Sequence, residues 1–191
     1  MFTVEFFIRN TMLGVGLAMD ACAVSMANGF NEPKMRLLKV FVIALFYAVF
    51  QAIMPLIGYF IGNALLSVIE RFIPWIALVL LLFLGGKTLI EGIKKKGGDM
   101  KGGKTLTLWA LAVQAVATSI DALAVGFTFA EYDLSAAIIA AAIIAAVTFA
   151  LTFLSVIIGK KFGTVLGNKA EILGGIILIA IGVEIFITGI I

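Results

Sequence analysis

Two stretches of this chain place carboxylates in apolar surroundings. Asp20-Ala21-Cys22-Ala23-Val24 and Asp121-Ala122-Leu123-Ala124-Val125 share the pattern D-A-x-A-V, 101 residues apart. An ionisable group at the centre of a membrane helix costs about 2.5–3.5 kcal/mol on the insertion scale, and such residues mark ion or substrate paths by default. Two carboxylates can neutralise a divalent cation, with amide, hydroxyl or carbonyl oxygens completing a hard coordination shell. Oxygen-rich sets suit Mg, Ca and Mn, whereas Zn, Ni and Cu prefer His or Cys. This chain has one Cys and no His.

At about 100° per residue, Gln114, Thr118 and Thr128 fall on the face of Asp121, an oxygen-bearing stripe along one helix. The face of Asp20 carries Gly16, Val24 and Ala27, with Asn28 on its edge. Asn28, Gln51, Thr118 and Ser119 are therefore second-tier metal ligands or supports. An isolated membrane glutamine such as Gln51 is more often an interhelical hydrogen bond. The aspartates' own bland role is as protonated packing glue. The pair can form one shared site or two staggered ones.

Other signals carry less. Gly98, Gly103, Lys104 and Thr105 fit the phosphate-loop pattern, but that motif needs a preceding strand and an α/β domain. Met12, Met19 and Met26 recur every seven residues and read as a packing seam. Cys22 reads as core. Gly58/Gly62 and Gly159/Gly163/Gly167 have the spacing of close helix contacts. Lys87 and Glu91 are spaced to pair on one helix. Glu171 opens a helix, where a carboxylate favours the dipole; Glu184 lies deeper.

The elements that must position the aspartates follow from composition. Hydrophobic residues make up 63% of 191, with 20 glycines besides, and charged residues only 13%. Soluble domains are roughly 45–50% apolar, so the chain reads as an all-α integral membrane protein. Six segments are long enough to span, about 4–28, 37–60, 72–92, 106–130, 134–158 and 171–190. The first is too long and too poor in basic residues to be a cleavable signal.

Lys34, Arg36, Lys39, Lys94, Lys95, Lys96, Lys101, Lys104, Lys160, Lys161 and Lys169 cluster at the first, third and fifth connections. The positive-inside rule then puts both termini outside. The basic loops are a topology signal rather than a nucleic-acid surface. Each D-A-x-A-V lies in the first helix of a three-helix half, and halves with an odd number of spans cross the membrane in opposite senses. The expected organisation is two inverted repeats, 1–96 and 105–191, joined by a cytoplasmic loop 97–104, the arrangement of transporters with midplane sites.

These residues resemble the manganese efflux pumps of the MntP type, relatives of the LysE-like exporters. The matching stretches are 19–25 (MDACAVS), 54–58 (MPLIG), 83–87 (FLGGK) with 90–92, 117–126 (ATSIDALAVG) and 169–175 (KAEILGG), covering essentially the whole chain. The resemblance implies a six-helix exporter of Mn²⁺ in a prokaryotic plasma (inner) membrane, with Mn²⁺ as substrate and no cofactor. It also implies that Asp20 and Asp121 matter for transport, together with a glycine that falls on Gly29, and it places Glu171 in a family stretch.

The expected function is export of divalent manganese by alternating access without an ATPase, possible proton antiport included. The partners are the ion and the bilayer, with no nucleic acid; oligomeric state and selectivity against Fe²⁺, Mg²⁺ or Ca²⁺ are open. An exporter of a small organic solute such as a basic amino acid, or a non-transporting scaffold, are the other classes. An enzyme is disfavoured because no nucleophile–base pair lies within the helices.

Overall fold

The structure is a computed structural model that describes residues 3–61, 106–129, 132–166 and 169–190, with scattered helical positions between 75 and 93. Among the described residues, six helices are delimited: α1 (Val4–Asn31), α2 (Leu37–Ile61), α3 (Leu108–Thr118), α4 (Ile120–Thr128), α5 (Leu134–Leu166) and α6 (Lys169–Ile190). No strand occurs among the described residues. Much of the expected third span, the 97–104 loop, Lys87, Glu91, Gly62, Gly167 and the phosphate-loop-like residues lie outside the described set.

Helix starts follow their caps. Thr3 accepts from the Phe6 N–H at 3.3 Å, and Thr107 from the Ala110 N–H at 3.3 Å. Asp133 accepts from the Ala136 N–H at 3.0 Å and the Ser135 hydroxyl at 2.8 Å. Each cap satisfies backbone donors that a helix start leaves without intrahelical partners. Those two bonds, the backbone one first, hold the Asp133 carboxyl below the usual carboxylate range.

Among the described residues, three helices are long and apolar enough to cross a membrane: Val4–Asn31, Leu37–Ile61 and Leu134–Gly163. Taken as one span, α3 and the start of α4 make a fourth, bent by 44°. Large apolar side chains such as Leu38, Phe60, Trp109, Leu154 and Phe162 are exposed on the outside. A water-soluble surface does not carry apolar area on this scale; a lipid-facing one does.

α1 and α5 run parallel in close contact, from Gly14 against Ile144 and Val147 to Gly29 against Val156 and Gly159. The α2 helix runs parallel to α3 and α4, from Tyr47 beside Gln114 to Gly58 beside Gly126. Within the first half α1 and α2 are antiparallel, with Gln51 bonded to Leu17 and Asn28 to Tyr47. One core cluster, including Val24, Ile43, Tyr47, Leu111, Ala115, Val156 and Leu178, joins α1, α2, α3, α5 and α6. A second, around Phe6, Leu17, Ala122, Phe129 and Ala137, closes the other end.

The segments differ from the sequence expectation in three places. The expected helix 106–130 is broken at Ser119, for reasons given below. The expected loop at Lys160-Lys161-Phe162-Gly163 is helical, because Gly159 and Gly163 let α5 lie against the backbone of α1 around Met26, Gly29 and Phe30. Met12 and Met19 are 69% and 64% exposed, so the methionine row is not an internal seam. Cys22 is half-buried.

Candidate functional site

The break that creates α4 has a local cause. The Thr118 hydroxyl donates to the Gln114 carbonyl at 2.9 Å, and the Ser119 hydroxyl to the Ala115 carbonyl at 2.7 Å. Hydroxyls that bond back to the preceding turn compete with the helix ladder and bend it. The Ser119 N–H bonds the Val116 carbonyl rather than continuing the α pattern. Asp121 falls in the first turn of α4, where a carboxylate favours the helix dipole. One of its oxygens accepts from the Ala122 N–H at 2.9 Å.

Asp121 also lines a cleft of about 620 Å³. Its wall is one face of the N-terminal half of α1: Glu5, Arg9, Met12, Leu13 and Gly16 recur at helical spacing, with Ile8 and Leu17 beside them. Asp20 continues that face one turn beyond Gly16 and is itself half-buried. The two aspartates are close enough for the charge of Asp20 to act on Asp121. Asp20 in turn feels Glu184 of α6. The interaction crosses from the first half of the chain to the second.

The oxygen stripe expected along one continuous helix is divided by the break. Gln114 points away from Asp121 into a buried network with Asn28 and Tyr47. Asn28 and Gln114 exchange amide hydrogen bonds at 2.9 and 3.2 Å, and the Tyr47 hydroxyl donates to the same Gln114 oxygen at 3.0 Å. Asn28 lies eight residues beyond Asp20, about 12 Å at 1.5 Å per residue. Thr128 bonds its own turn at the Val125 carbonyl. Gln51 donates to the Leu17 carbonyl at 2.5 Å, the interhelical bond expected of a lone membrane glutamine.

Thus Asp20 and Asp121 lie within electrostatic reach of one another and Thr118 and Ser119 form the break just before Asp121, while Asn28 and Gln51 are engaged elsewhere. Among the described residues, no group of three His, Cys, Asp or Glu side chains is gathered to hold a metal ion. An ion held here would take two carboxylates and complete its shell with neutral oxygens or water. Gly29 is packed against the α5 backbone at Val156, Gly159 and Lys160. Glu171 stands in the first turn of α6, its side chain outside the described set. Tyr47 was not foreseen; one phenol in an apolar run gives no periodic signal, and only its near-complete burial marks it.

The fold and site define a multi-pass helical membrane protein with two interacting carboxylates beside a broken helix. A family model described as "Putative manganese efflux pump" matches residues 34–186. The protein named "Putative manganese efflux pump MntP" of Ruminiclostridium cellulolyticum is 43% identical over 92% of this chain and 93% of its own length. Proteins of that name from Rippkaea orientalis and Clostridium perfringens are each 42% identical, covering 96% and 94% of this chain and 97% and 94% of their own. The chain belongs to this manganese efflux pump family. No solved structure matches it.

Proposed function

We propose that this protein is a secondary-type exporter of divalent manganese, with the ion held between Asp20 and Asp121. It is a transporter and not an enzyme, and Mn²⁺ is its substrate rather than a cofactor. Its setting is a bacterial plasma (inner) membrane, with both termini outside. The observation that carries the reading is the interaction of Asp121, on a cleft wall just after a helix break, with Asp20 from the other half of the chain. Broken helices at such positions bring backbone and side-chain oxygens to an ion inside a bilayer. Thr118 and Ser119 support the break, and one shared site suits two carboxylates that sense each other.

Six spans in two inverted halves, 1–96 and 105–191 with 97–104 between, account for contacts that recur at matching positions. Gly29 on α1 meets Gly159 on α5, and Gly126 on α4 meets Gly58 on α2. Lys160 donates to the Met35 carbonyl at 2.5 Å, and Tyr59 to the Tyr132 carbonyl at 3.3 Å. The α2 and α5 members of these pairs are 101 residues apart, as the aspartates are; the glycines and carbonyls they meet are 97 apart. A four-residue difference is one helical turn, and it falls between Asp121 and Gly126, which five positions separate against nine from Asp20 to Gly29.

Proton antiport follows from the chemistry: carboxylates that release a divalent ion can take protons in its place. The test of the site is equilibrium Mn²⁺ binding to the purified protein, read from the electron paramagnetic resonance signal of free Mn²⁺. Asp20→Asn or Asp121→Asn, each folded, is expected to weaken binding at least tenfold. Unchanged binding in both variants would refute the site.

A further inference from the structure

We propose that Asn28, Gln114 and Tyr47 are the inner gate of the ion path, shut in this structure while the opposite end stands open through the cleft. The inference rests on the reading of Asp20 and Asp121 as the ion site. On one side of the aspartates is the cleft, walled by the N-terminal half of α1. On the other side, about 12 Å beyond Asp20, the path meets three side chains that are each 97% or more buried.

These side chains come from α1, α2 and α3, the helices that must separate for an ion to pass. Both amide groups of the Asn28–Gln114 pair are satisfied by each other, and the Tyr47 hydroxyl adds two more bonds, donating to Gln114 at 3.0 Å and accepting from Asn28 at 3.4 Å. A closed ring of neutral hydrogen bonds is suited to gating. It satisfies every polar group when shut, and water can replace each bond when it opens, so neither state strands a buried donor. A second closure lies beyond it at the same end. Glu32 holds Lys39 at 2.5 Å and the Leu106 N–H at 3.3 Å, tying the α1–α2 connection to the approach to α3. Lys160 ties α5 to Met35 of the same connection.

Among the described residues, the cleft end has no counterpart of the ring. At the 101-residue spacing of the aspartates, Tyr47 corresponds to Thr148 and Gln114 to Leu13; at the 97-residue spacing of the glycines, Asn28 corresponds to Val125. Thr148 is fully buried and its hydroxyl has no partner. Leu13 lines the cleft. The end sealed by three polar side chains is closed, and the end where aliphatic residues and one threonine replace them is open. The ring therefore sets which way the protein faces at rest.

The test uses the full chain in a Cys22→Ala background with one reporter at a time, Leu13→Cys in the cleft or Leu111→Cys one turn from Gln114 on the far side of the ring. A charged, membrane-impermeant methanethiosulfonate is applied from either side of oriented vesicles. With the ring intact, Leu13→Cys reacts from the cleft side and Leu111→Cys is protected. Tyr47→Phe removes one hydroxyl and no packing volume. It is expected to speed modification of Leu111→Cys by roughly 2- to 12-fold, the population change set by its one close hydrogen bond, that to Gln114, without speeding that of Leu13→Cys. Gln114→Ala removes the centre of the ring and is expected to do more.

An unchanged Leu111→Cys rate in both variants overturns the gate. So does acceleration of both reporters together, which is loosening rather than a change of facing. Mn²⁺ flux measured alongside separates the two readings. Flux that depends on the aspartates with no labelling response sinks the gate alone; flux indifferent to the aspartates sinks the ion site, and the labelling still decides the gate.

Discussion

Gly29→Ala isolates the contact that holds α1 to α5. A Cβ built on Gly29 lies 2.5 Å from the Val156 carbonyl oxygen, 2.8 Å from the Lys160 nitrogen and 2.9 Å from the Gly159 carbonyl carbon. Carbon contacts are comfortable at about 3.5–4.0 Å, so α1 and α5 must part by about 1 Å locally. All three neighbours are backbone atoms, so no side chain can swing aside. Inserting one carbon into a packed interface costs about 1–3 kcal/mol, and a rigid neighbour puts this site in the upper half. Replacing a helical glycine by alanine returns about 1 kcal/mol. The net is a loss of about 1–2 kcal/mol, or roughly 2–8 °C of melting temperature on the scale of domains this size. Gly16, on the same helix, has nothing within 4 Å of its Cβ position. Gly16→Ala should therefore hold or raise stability, by up to about 1 kcal/mol, and the melting temperature with it. The assay is thermal unfolding in detergent of the two variants beside the parent. A Gly29→Ala protein as stable as Gly16→Ala, or more so, would refute the packing argument.

Gln51→Leu removes the bond to the Leu17 carbonyl and should cost about 0.5–1.5 kcal/mol of stability, lowering Mn²⁺ transport in step with folded protein rather than abolishing it. Loss of Mn²⁺ binding at full stability would instead make Gln51 a ligand. Asp133 gives a pH test: its folded-state pKa is depressed, so its cap on α5 is fully present above the ordinary carboxylate range and is lost as pH falls through the lowered value. Acid melts of the parent should show a loss of stability in that range that is reduced in Asp133→Asn; identical acid profiles would contradict the assignment.

What sequence could say about this molecule depended on the signal. Asp20 and Asp121 stood out because charge in an apolar segment is costly whatever the fold, and the structure brings them within electrostatic reach. Gly58, Gly159 and Gly163 were legible for a related reason: small residues at four-residue spacing are needed where backbones touch, and each meets a neighbouring helix. The orientation of Met12 and Met19 was not legible, because inside a membrane an apolar residue faces lipid as readily as core. The break at Ser119 was hidden too. Thr118 and Ser119 weaken the helix through bonds to their own backbone, while the apolar run continues past them unchanged. The engagement of Asn28 with Gln114 and Tyr47, rather than with Asp20, depends on the distance between two halves of the chain. Spacing along one helix carries no information about that distance.

The central claim is that Asp20 and Asp121 carry the ion across the membrane. Its most direct test is Mn²⁺ flux in liposomes containing the purified protein, with and without a pH gradient, for the parent and for Asp20→Asn and Asp121→Asn. The account predicts flux that a proton gradient drives in the parent and that each folded variant loses. Full flux in both variants would contradict it.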